Sequence, residues 1–152
     1  MTAIIRPAIR QDADFVGPRM RDAEHIESLI ALGFSGPAAV KYCIELSSHA
    51  LAIHEGSPKE PFCVLGVAPY TPGVGVVWLL GTDVFDEHRR DLMVLTEPIL
   101  QQFLKSYPTL VIQVGEFNTK SIRYLKHFGF KPFPVMDIPS SPFIHLIRTD
   151  DV

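Results

Sequence analysis

The chain has 152 residues, with 14 Lys and Arg against 17 Asp and Glu, which gives a formal net charge of −3. This length is typical of one domain, so a single domain over residues 1–152 is expected. Apolar residues make up 47% of the sequence, which excludes intrinsic disorder, because disordered chains combine low hydrophobicity with high net charge. The slight acidity provides no overall field to attract nucleic acid, so a nucleic-acid partner is not expected.

The sequence also argues against membrane spans, disulfides and metal sites. The longest apolar stretch, residues 74–80, is far shorter than the ~20 residues that span a bilayer, and no signal-peptide core follows the N-terminus. A soluble protein is therefore expected. Cys43 and Cys63 form no CxxC pair, and no histidine lies in an HExxH spacing. Both cysteines are interpreted as core thiols, and no metal is predicted.

The first third of the chain predicts one strand and two helices. Ile4 and Ile5 form a short strand that Pro7 closes, because proline cannot donate to a central ladder. Helical spacing of apolar residues predicts a helix over residues 22–33 and a second over residues 37–48. The buried face of the first helix is expected to consist of Ala23, Ile26, Leu29 and Ile30.

The remaining elements alternate between strands and helices. Strands at residues 50–54, 62–68 and 74–80 are separated by turn-forming residues and are expected to form a meander, with the apolar third strand central. A long helix is predicted over residues 86–107, where Pro98 should kink or divide it. The last predicted elements are a strand at 110–114, a helix at 119–128, and closing strands at 130–133 and 143–147.

This order, β-α-α-β-β-β-α-β-α-β-β, predicts an α/β (α+β) fold. Its central sheet is expected to be mixed and mostly antiparallel, with helices flanking it. In such sheets a ligand binds beyond the strand ends. The candidate site is therefore the region where the strands at 74–80 and 110–114 lead into their helices.

The segment NTKSIRYLKHFGFKPF, which follows the strand LVIQV, resembles the motif of the GCN5-related N-acetyltransferases (GNAT). In that motif a strand is followed by Asn, a small residue three positions later, a short amphipathic helix and Gly-Phe. Asn118, Ser121, Gly129 and Phe130 match these positions. The predicted element order is also that of the GNAT fold. The resemblance therefore implies one GNAT-like, acyl-CoA N-acyltransferase domain over nearly the whole chain.

Two stretches, WLLGTD at 78–83 and NTKSIR at 118–123, also resemble the acetyltransferase-like proteins of short-tailed phages, the family of internal virion protein A. This resemblance implies a phage-encoded protein in the virion interior or the host cytoplasm. It implies other virion or core proteins as partners, and enzymatic activity does not define that family.

A GNAT acetyl-CoA site implies a glycine-rich loop before the long helix, because only glycine lets main-chain amides approach a pyrophosphate closely. No glycine lies between Thr82 and Met93. Three acids, Asp83, Asp86 and Glu87, compensate the helix dipole that would attract phosphate. The expectation is therefore a degenerate acetyl-CoA site.

If pantetheine binds, the resemblance implies contacts with main-chain groups near Leu79 and Leu80 and with Asn118 of the motif. It also implies a tyrosine seven residues after this asparagine, as the acid that protonates the leaving thiolate. That position is Leu125 here, whereas Tyr124 lies one residue earlier and about 100° around the helix. Tyr124 is the candidate acid and is expected to point away from the thiolate.

Candidate general bases are Glu116 and Asp83, each placed just after a strand. Two surface features carry further hypotheses. Basic residues on one arc of the last helix, Lys120, Arg123, Lys126 and His127, are interpreted as a solvated face. The apolar, proline-rich segment at 132–146 predicts self-association or docking on the chain's own sheet.

Three functions remain open at this point. The first is a binding or structural role in the virion or early infection, with a degenerate acetyl-CoA site. The second is an active acyl-CoA-dependent N-acetyltransferase with an atypical pyrophosphate loop, and the third is a small-molecule or nucleotide binder in the same cleft. An open gap between the strands at 74–80 and 110–114 favours the enzyme, whereas Trp78, Phe117 or Tyr124 filling it would oppose catalysis.

Overall fold

The computed structural model describes residues 3–133 and 141–150. The strands are β1 (Ile4–Pro7), β2 (His49–His54), β3 (Cys63–Thr71), β4 (Val74–Gly81), β5 (Thr109–Gly115), β6 (Lys131–Pro132) and β7 (Phe143–Thr149). The helices are α1 (Asp12–Val16), α2 (Asp22–Leu32), α3 (Pro37–Leu46), α4 (Arg89–Ser106) and α5 (Thr119–His127).

The strands form one seven-stranded sheet in the order β1-β2-β3-β4-β5-β7-β6. Among the neighbouring pairs in the described residues, β4 and β5 run parallel and the others run antiparallel. This confirms the predicted mixed, mostly antiparallel sheet, including the meander of β2, β3 and β4. Strand β4 occupies the middle position, as its continuous apolar sequence predicts.

Helices cover both faces of the sheet. On one face, α4 and α5 contribute to a large core that includes Phe103 and Val77. On the other face, α1 and α3 contribute to a smaller core that includes Val16 and Val40. Val77 and Trp78 are neighbours in β4 and pack against opposite cores, because successive side chains of a strand point to opposite faces.

Helix α1 is an addition to the predicted order. Its five residues are too few to produce a helical apolar pattern in the sequence. Asp12 anchors the helix: this carboxylate is 3% exposed, pairs with Arg6 at 2.6 Å and accepts the Ile9 amide at 2.8 Å. A buried, paired acid therefore organises this turn.

Helix α2 presents the opposite face to the one predicted. Ile26, Leu29 and Ile30, which were expected to be buried, are 45%, 46% and 48% exposed. The buried residues are Glu24 and Ser28, at 3% and 7% exposure. The prediction of an apolar buried face is therefore wrong for these three residues, because hydrogen bonds from the helix to the sheet, described below, decide its orientation.

Helix α4 begins at Arg89, after a 3₁₀ turn at Phe85–His88, and it is not divided at Pro98. A proline within a helix leaves the carbonyl four residues earlier without its amide partner. That residue is Val94, which is 72% exposed, so water can bind its carbonyl. Of the two predicted effects of Pro98, the structure therefore excludes the division, and the kink stays a prediction.

Among the described helices, none is long and apolar enough to span a membrane by itself. Helices α2 and α3 together are long and apolar enough, as a pair with a bend between them, by length and composition alone. The self-association prediction rests largely on residues 134–140, which lie outside the described residues. It stays a prediction.

Candidate active site

Strands β4 and β5 pair over a short distance and then separate. Their register runs from Val74 opposite Thr109 to Val76 opposite Val111. Beyond that point both strands continue without pairing with each other, and the V-shaped gap between them belongs to a cavity of about 510 Å³. The gap that an enzyme of this fold requires is therefore open.

The aromatic residues that were considered as plugs leave the gap open. Trp78 and Tyr124 lie in the cavity walls, and Phe117, which is 44% exposed, is not among the lining residues. The Trp78 Nε1–H donates to Ser47 Oγ at 2.6 Å, which fixes the indole near α3.

Main-chain groups of β4 face the gap at alternate residues. The Gly81 amide donates to the Glu24 side chain of α2, and the Gly81 carbonyl accepts the Arg21 amide just before α2. The Thr82 amide instead donates towards β3, to the Phe62 carbonyl at 2.9 Å. Because these directions alternate along a strand, the N–H and C=O of Leu79 face the gap and those of Leu80 face β3. Leu79 thus offers its main chain to a ligand, whereas Leu80 lines the cavity with its side chain.

The same alternation applies to β5. The Gly115 amide donates to α2, and the Glu116 amide donates to the Pro142 carbonyl beside β7 at 2.7 Å. The main chain of Gln113 therefore faces the gap from the β5 side. Two strand edges with unpaired amides and carbonyls thus face each other across the cavity.

Helix α2 lies across the open end of this gap, and its first turn binds the end of β4. Glu24 Oε1 accepts the Gly81 amide at 2.7 Å and Arg21 Nε at 3.1 Å. Burial raises the pKa of Glu24, and the Arg21 guanidinium partly offsets this effect. This buried pair ties α2 to β4.

Glu27, one turn further along α2, binds the end of β5. Its Oε2 accepts the Gly115 amide at 2.7 Å and Asn118 Nδ2 at 3.2 Å. Its Oε1 accepts no hydrogen bond from the described residues, and the side chain lines the cavity. Burial raises the pKa of Glu27, so this carboxylate is a stronger base than an exposed one.

Asn118 lies in the cavity wall and is 9% exposed. Its Oδ1 caps α5 by accepting the Ser121 amide at 3.4 Å, while its Nδ2 donates to Glu27. Both polar groups of this predicted cofactor contact therefore have protein partners, and Asn118 orients Glu27.

Tyr124 also lines the cavity, and its expected direction away from the thiolate stays a prediction. Its hydroxyl hydrogen-bonds to Thr96 Oγ1, which in turn donates to the Leu92 carbonyl at 2.6 Å. Burial raises the pKa of Tyr124 to about 12, so the phenol keeps its proton at neutral pH.

The two carboxylates that the sequence suggested as bases lie elsewhere. Glu116 and Asp83 are exposed, and neither lines the cavity. Their exposure has a physical reason, because the turns after β4 and β5 point these side chains to solvent while α2 inserts its own acids. Sequence reasoning missed Glu24 and Glu27, although two acids three residues apart in an apolar helix were a usable sign.

Main-chain amides of the segment before α4 are hydrogen-bonded within the protein. The amides of Asp83, Phe85 and Glu87 each donate to a protein carbonyl at 3.0 Å. Asp86 lies 3.5 Å from Arg21 and 3.9 Å from Lys120. These three amides are therefore engaged within the protein and do not form a cradle for an anion.

Cationic side chains line the cavity where α4 and α5 meet. They are Arg89, Lys120 and Arg123, and all three are exposed. Within the described residues, Arg89 and Arg123 have no ion-pair partner, and Lys120 has Asp86. Outside the cavity wall, His88 Nδ1 lies 3.0 Å from Glu55 and 3.8 Å from Asp91, a set of potential metal ligands that also forms an ion-pair group.

No protein-family model and no curated protein sequence matches the chain. Solved structures do match over nearly its full length. Ard1 from Thermoplasma volcanium is 13% identical, with 98% of each chain covered and a TM-score of 0.68. PaiA N-acetyltransferase from Thermoplasma acidophilum in complex with coenzyme A is 14% identical, with 98% of this chain and 99% of that chain covered and a TM-score of 0.68. A GNAT-family acetyltransferase from Bacillus anthracis is 9% identical, with 99% and 96% covered and a TM-score of 0.68. The chain therefore has the fold of the GNAT acyl-CoA N-acyltransferases.

Proposed function

We propose that this chain is an acyl-CoA-dependent N-acyltransferase that joins an acyl group to an amine in the gap between β4 and β5. One observation carries the proposal. Leu79, whose main chain is unpaired towards the gap, Glu27, which has a carboxylate oxygen free of hydrogen bonds from the described residues, and Tyr124 all line one cavity. A strand edge, a base and an acid are what acyl transfer from a thioester to an amine requires.

The residues of the gap fit the pantetheine arm of acyl-CoA. Pantetheine carries two amides, and the N–H and C=O groups of Leu79 and Gln113 can bind amides as a neighbouring strand would. The diphosphate of CoA fits the segment before α4 less well, because the amides of Asp83, Phe85 and Glu87 already donate to protein carbonyls. Arg89, Lys120 and Arg123 would hold the phosphates through their side chains.

Bound acyl-CoA would supply an electrophilic thioester carbonyl. Glu27 Oε1 would take a proton from the attacking amine, for which its raised pKa suits it. Tyr124 remains protonated at neutral pH and would protonate the departing sulfur. Asn118 would keep Glu27 oriented through its hydrogen bond at 3.2 Å.

A second candidate is a binding protein with a degenerate acetyl-CoA site, as the resemblance to internal virion protein A implies. The segment before α4 favours it, because Asp86 and Glu87 oppose an anion there. Under this proposal the protein is phage-encoded, acts in the virion interior or host cytoplasm, and has virion or core proteins as partners.

Calorimetric titration of the purified chain with acetyl-CoA and with CoA tests the proposal. We expect a dissociation constant of about 100 μM or lower, within the usual range of substrate constants. Amine acetylation should then fall about 100-fold in Glu27→Gln, the scale of general-base catalysis, and stay unchanged in Glu116→Gln. Absence of heat together with an unchanged melting temperature would contradict the enzyme and favour the binding protein.

A further inference from the structure

Ser28 is a buried polar residue in the cavity wall. It is 7% exposed, and its hydroxyl forms no hydrogen bond with any described residue. No described side-chain polar atom is both sealed from solvent and unpartnered, so this hydroxyl opens into the cavity. A ligand group would supply the partner that the protein does not provide.

Glu27 precedes Ser28 on α2, and its Oε1 is likewise without a protein donor in the described residues. Within these residues, no cationic side chain forms an ion pair with Glu27, since Arg21 pairs with Glu24 and Asp86. Both residues line the same cavity, and a carboxylate oxygen and a hydroxyl can each accept a hydrogen bond from a group that has several donors and a positive charge. A primary ammonium has these properties.

The cavity becomes apolar further along α2. Leu32 follows Ser28 by four residues, about 6 Å along the helix axis at 1.5 Å per residue. The cavity wall also includes five uncharged residues, and we call the part of the wall that they form the apolar chamber: Leu32, Tyr42, Leu46, Val76 and Trp78. The Trp78 indole N–H is already bound to Ser47, so the chamber offers this ring as apolar surface.

We propose that the acyl acceptor is an apolar primary amine, such as an arylalkyl or alkyl amine, whose ammonium group binds Glu27 and Ser28 and whose body fills the apolar chamber. This inference rests on the proposed function and names the substrate class of the same site. Transfer forms the bond between the amine nitrogen and the acyl carbon of an acyl thioester and breaks the carbon–sulfur bond. Of the three ammonium protons, one goes to Glu27 Oε1 and one stays on the amide nitrogen. Tyr124 gives its proton to the released sulfur, which becomes a thiol, and the third ammonium proton restores the Tyr124 phenol.

The same arrangement disfavours other amines. A polyamine would place a second ammonium in the apolar chamber, where the lining side chains offer no carboxylate to pair with it. An α-amino acid would bring its own carboxylate next to Glu27, and the two like charges repel each other. The chamber thus selects by the body of the amine, and Glu27 selects by its charge.

Trp78 is the single tryptophan of the chain and lies in the chamber, so its fluorescence reports on the site. We would titrate the free protein, without any donor, with 2-phenylethylamine, n-hexylamine, spermidine and glycine. We expect the two apolar amines to bind at least about tenfold more tightly than spermidine or glycine, a difference in binding free energy of about 1.4 kcal/mol. Equal or tighter binding of spermidine would overturn the proposal.

Two variants and two controls sharpen this test. Glu27→Gln should weaken the affinity for 2-phenylethylamine about 10-fold or more, the scale of a hydrogen bond to a charged group. Glu116→Gln should leave this affinity unchanged. Leu46→Lys should also weaken the binding of 2-phenylethylamine about 10-fold, because it places a charged side chain in the apolar wall that holds the body of the amine. Leu46 is 51% exposed, so this variant should fold, and Ile26→Lys, 45% exposed and outside the cavity wall, is its control.

The donor titration separates the two proposals. If acetyl-CoA binds but the apolar amines do not, the acceptor class is wrong and the N-acyltransferase proposal stands. If the amines bind but acetyl-CoA does not, the cavity is an amine-binding site without a donor, which contradicts the acceptor role as well as the enzyme. Full amine affinity in Leu46→Lys would place the body of the amine outside the chamber.

Discussion

Glu24 and Glu27 lie three residues apart on α2, and each accepts a main-chain amide at 2.7 Å, from Gly81 and Gly115 respectively. These glycines are the last residues of β4 and β5, which have separated by that point. One turn of helix thus joins two diverging strand ends. The neighbouring Glu27 charge adds to the burial that raises the pKa of Glu24.

Replacing Glu24 with Ala should destabilise the fold strongly. The change leaves the Arg21 guanidinium, which is 18% exposed, and the Gly81 amide without their shared acceptor. Removing one partner of a buried ion pair costs about 3–5 kcal/mol. Urea unfolding followed by circular dichroism measures this loss, and a change below about 1 kcal/mol, typical of an exposed pair, would contradict the buried role of Glu24.

The outward orientation of α2 gives a second prediction. Ile26→Ser and Leu29→Ser should each change the free energy of unfolding by about 0.5 kcal/mol or less, as exposed substitutions do. Both residues are nearly half exposed. If the apolar face were buried, each change would cost about 2–5 kcal/mol. Val40→Ser, at a fully buried position of α3, is the positive control in the same unfolding assay.

Glu27 should make stability depend on pH in a defined direction. Because burial raises its pKa in the folded state, the protonated form is favoured there. This contribution is present below the ordinary glutamate pKa of about 4.3 and is lost as pH rises through the folded pKa.

Glu27→Gln removes that titration, so the variant should gain stability relative to the unmodified chain as pH rises. Urea unfolding at several pH values measures the difference. A difference between the two proteins that does not vary with pH would contradict the assigned direction.

Tyr124→Phe tests the proposed acid. The turnover number should fall by about 100-fold, the lower range of general acid catalysis, while stability falls by about 1 kcal/mol for one lost hydrogen bond. Thr96→Val removes the same hydrogen bond but keeps the phenol, so it should lose stability and keep most activity. Equal losses of turnover in both variants would make Tyr124 a positioning residue.

The charge before α4 should control the affinity for CoA. Asp86→Asn removes an acid 3.9 Å from Lys120 and is expected to tighten acetyl-CoA binding about two- to fivefold, the scale of an exposed charge pair. Arg123→Ala should weaken the binding of acetyl-CoA by a similar factor. Acetyl-pantetheine, which has no phosphate, should bind both variants unchanged in calorimetry, and a change there would refute the assignment of these side chains to the phosphates.

Local patterns predict much of this fold correctly. The alternation and turn residues of β2, β3 and β4, the helix after Asn118 and the end of that helix at Gly129 are all encoded within a few consecutive residues. The resemblance of the segment after Asn118 to the GNAT motif, together with this order of elements, implied the GNAT fold, and the structural matches support it. The family resemblance implied Leu79, Leu80, Asn118 and Tyr124 as site residues; all four line the cavity, and their roles stay predictions.

Tertiary structure alone decided how α2 lies and which carboxylate faces the gap. Helical spacing predicts that the apolar face of α2 is buried. The ends of β4 and β5, however, carry main-chain amides that have no partner in the sheet, and buried amides require hydrogen-bond acceptors. Glu24 and Glu27 are these acceptors, so they face the sheet and Ile26 faces solvent. Glu116 does not line the cavity. The sequence by itself determined the elements and their order, because those depend on neighbouring residues. The site depends on partners separated by 57 and 88 positions in the chain, which only the folded sheet brings together.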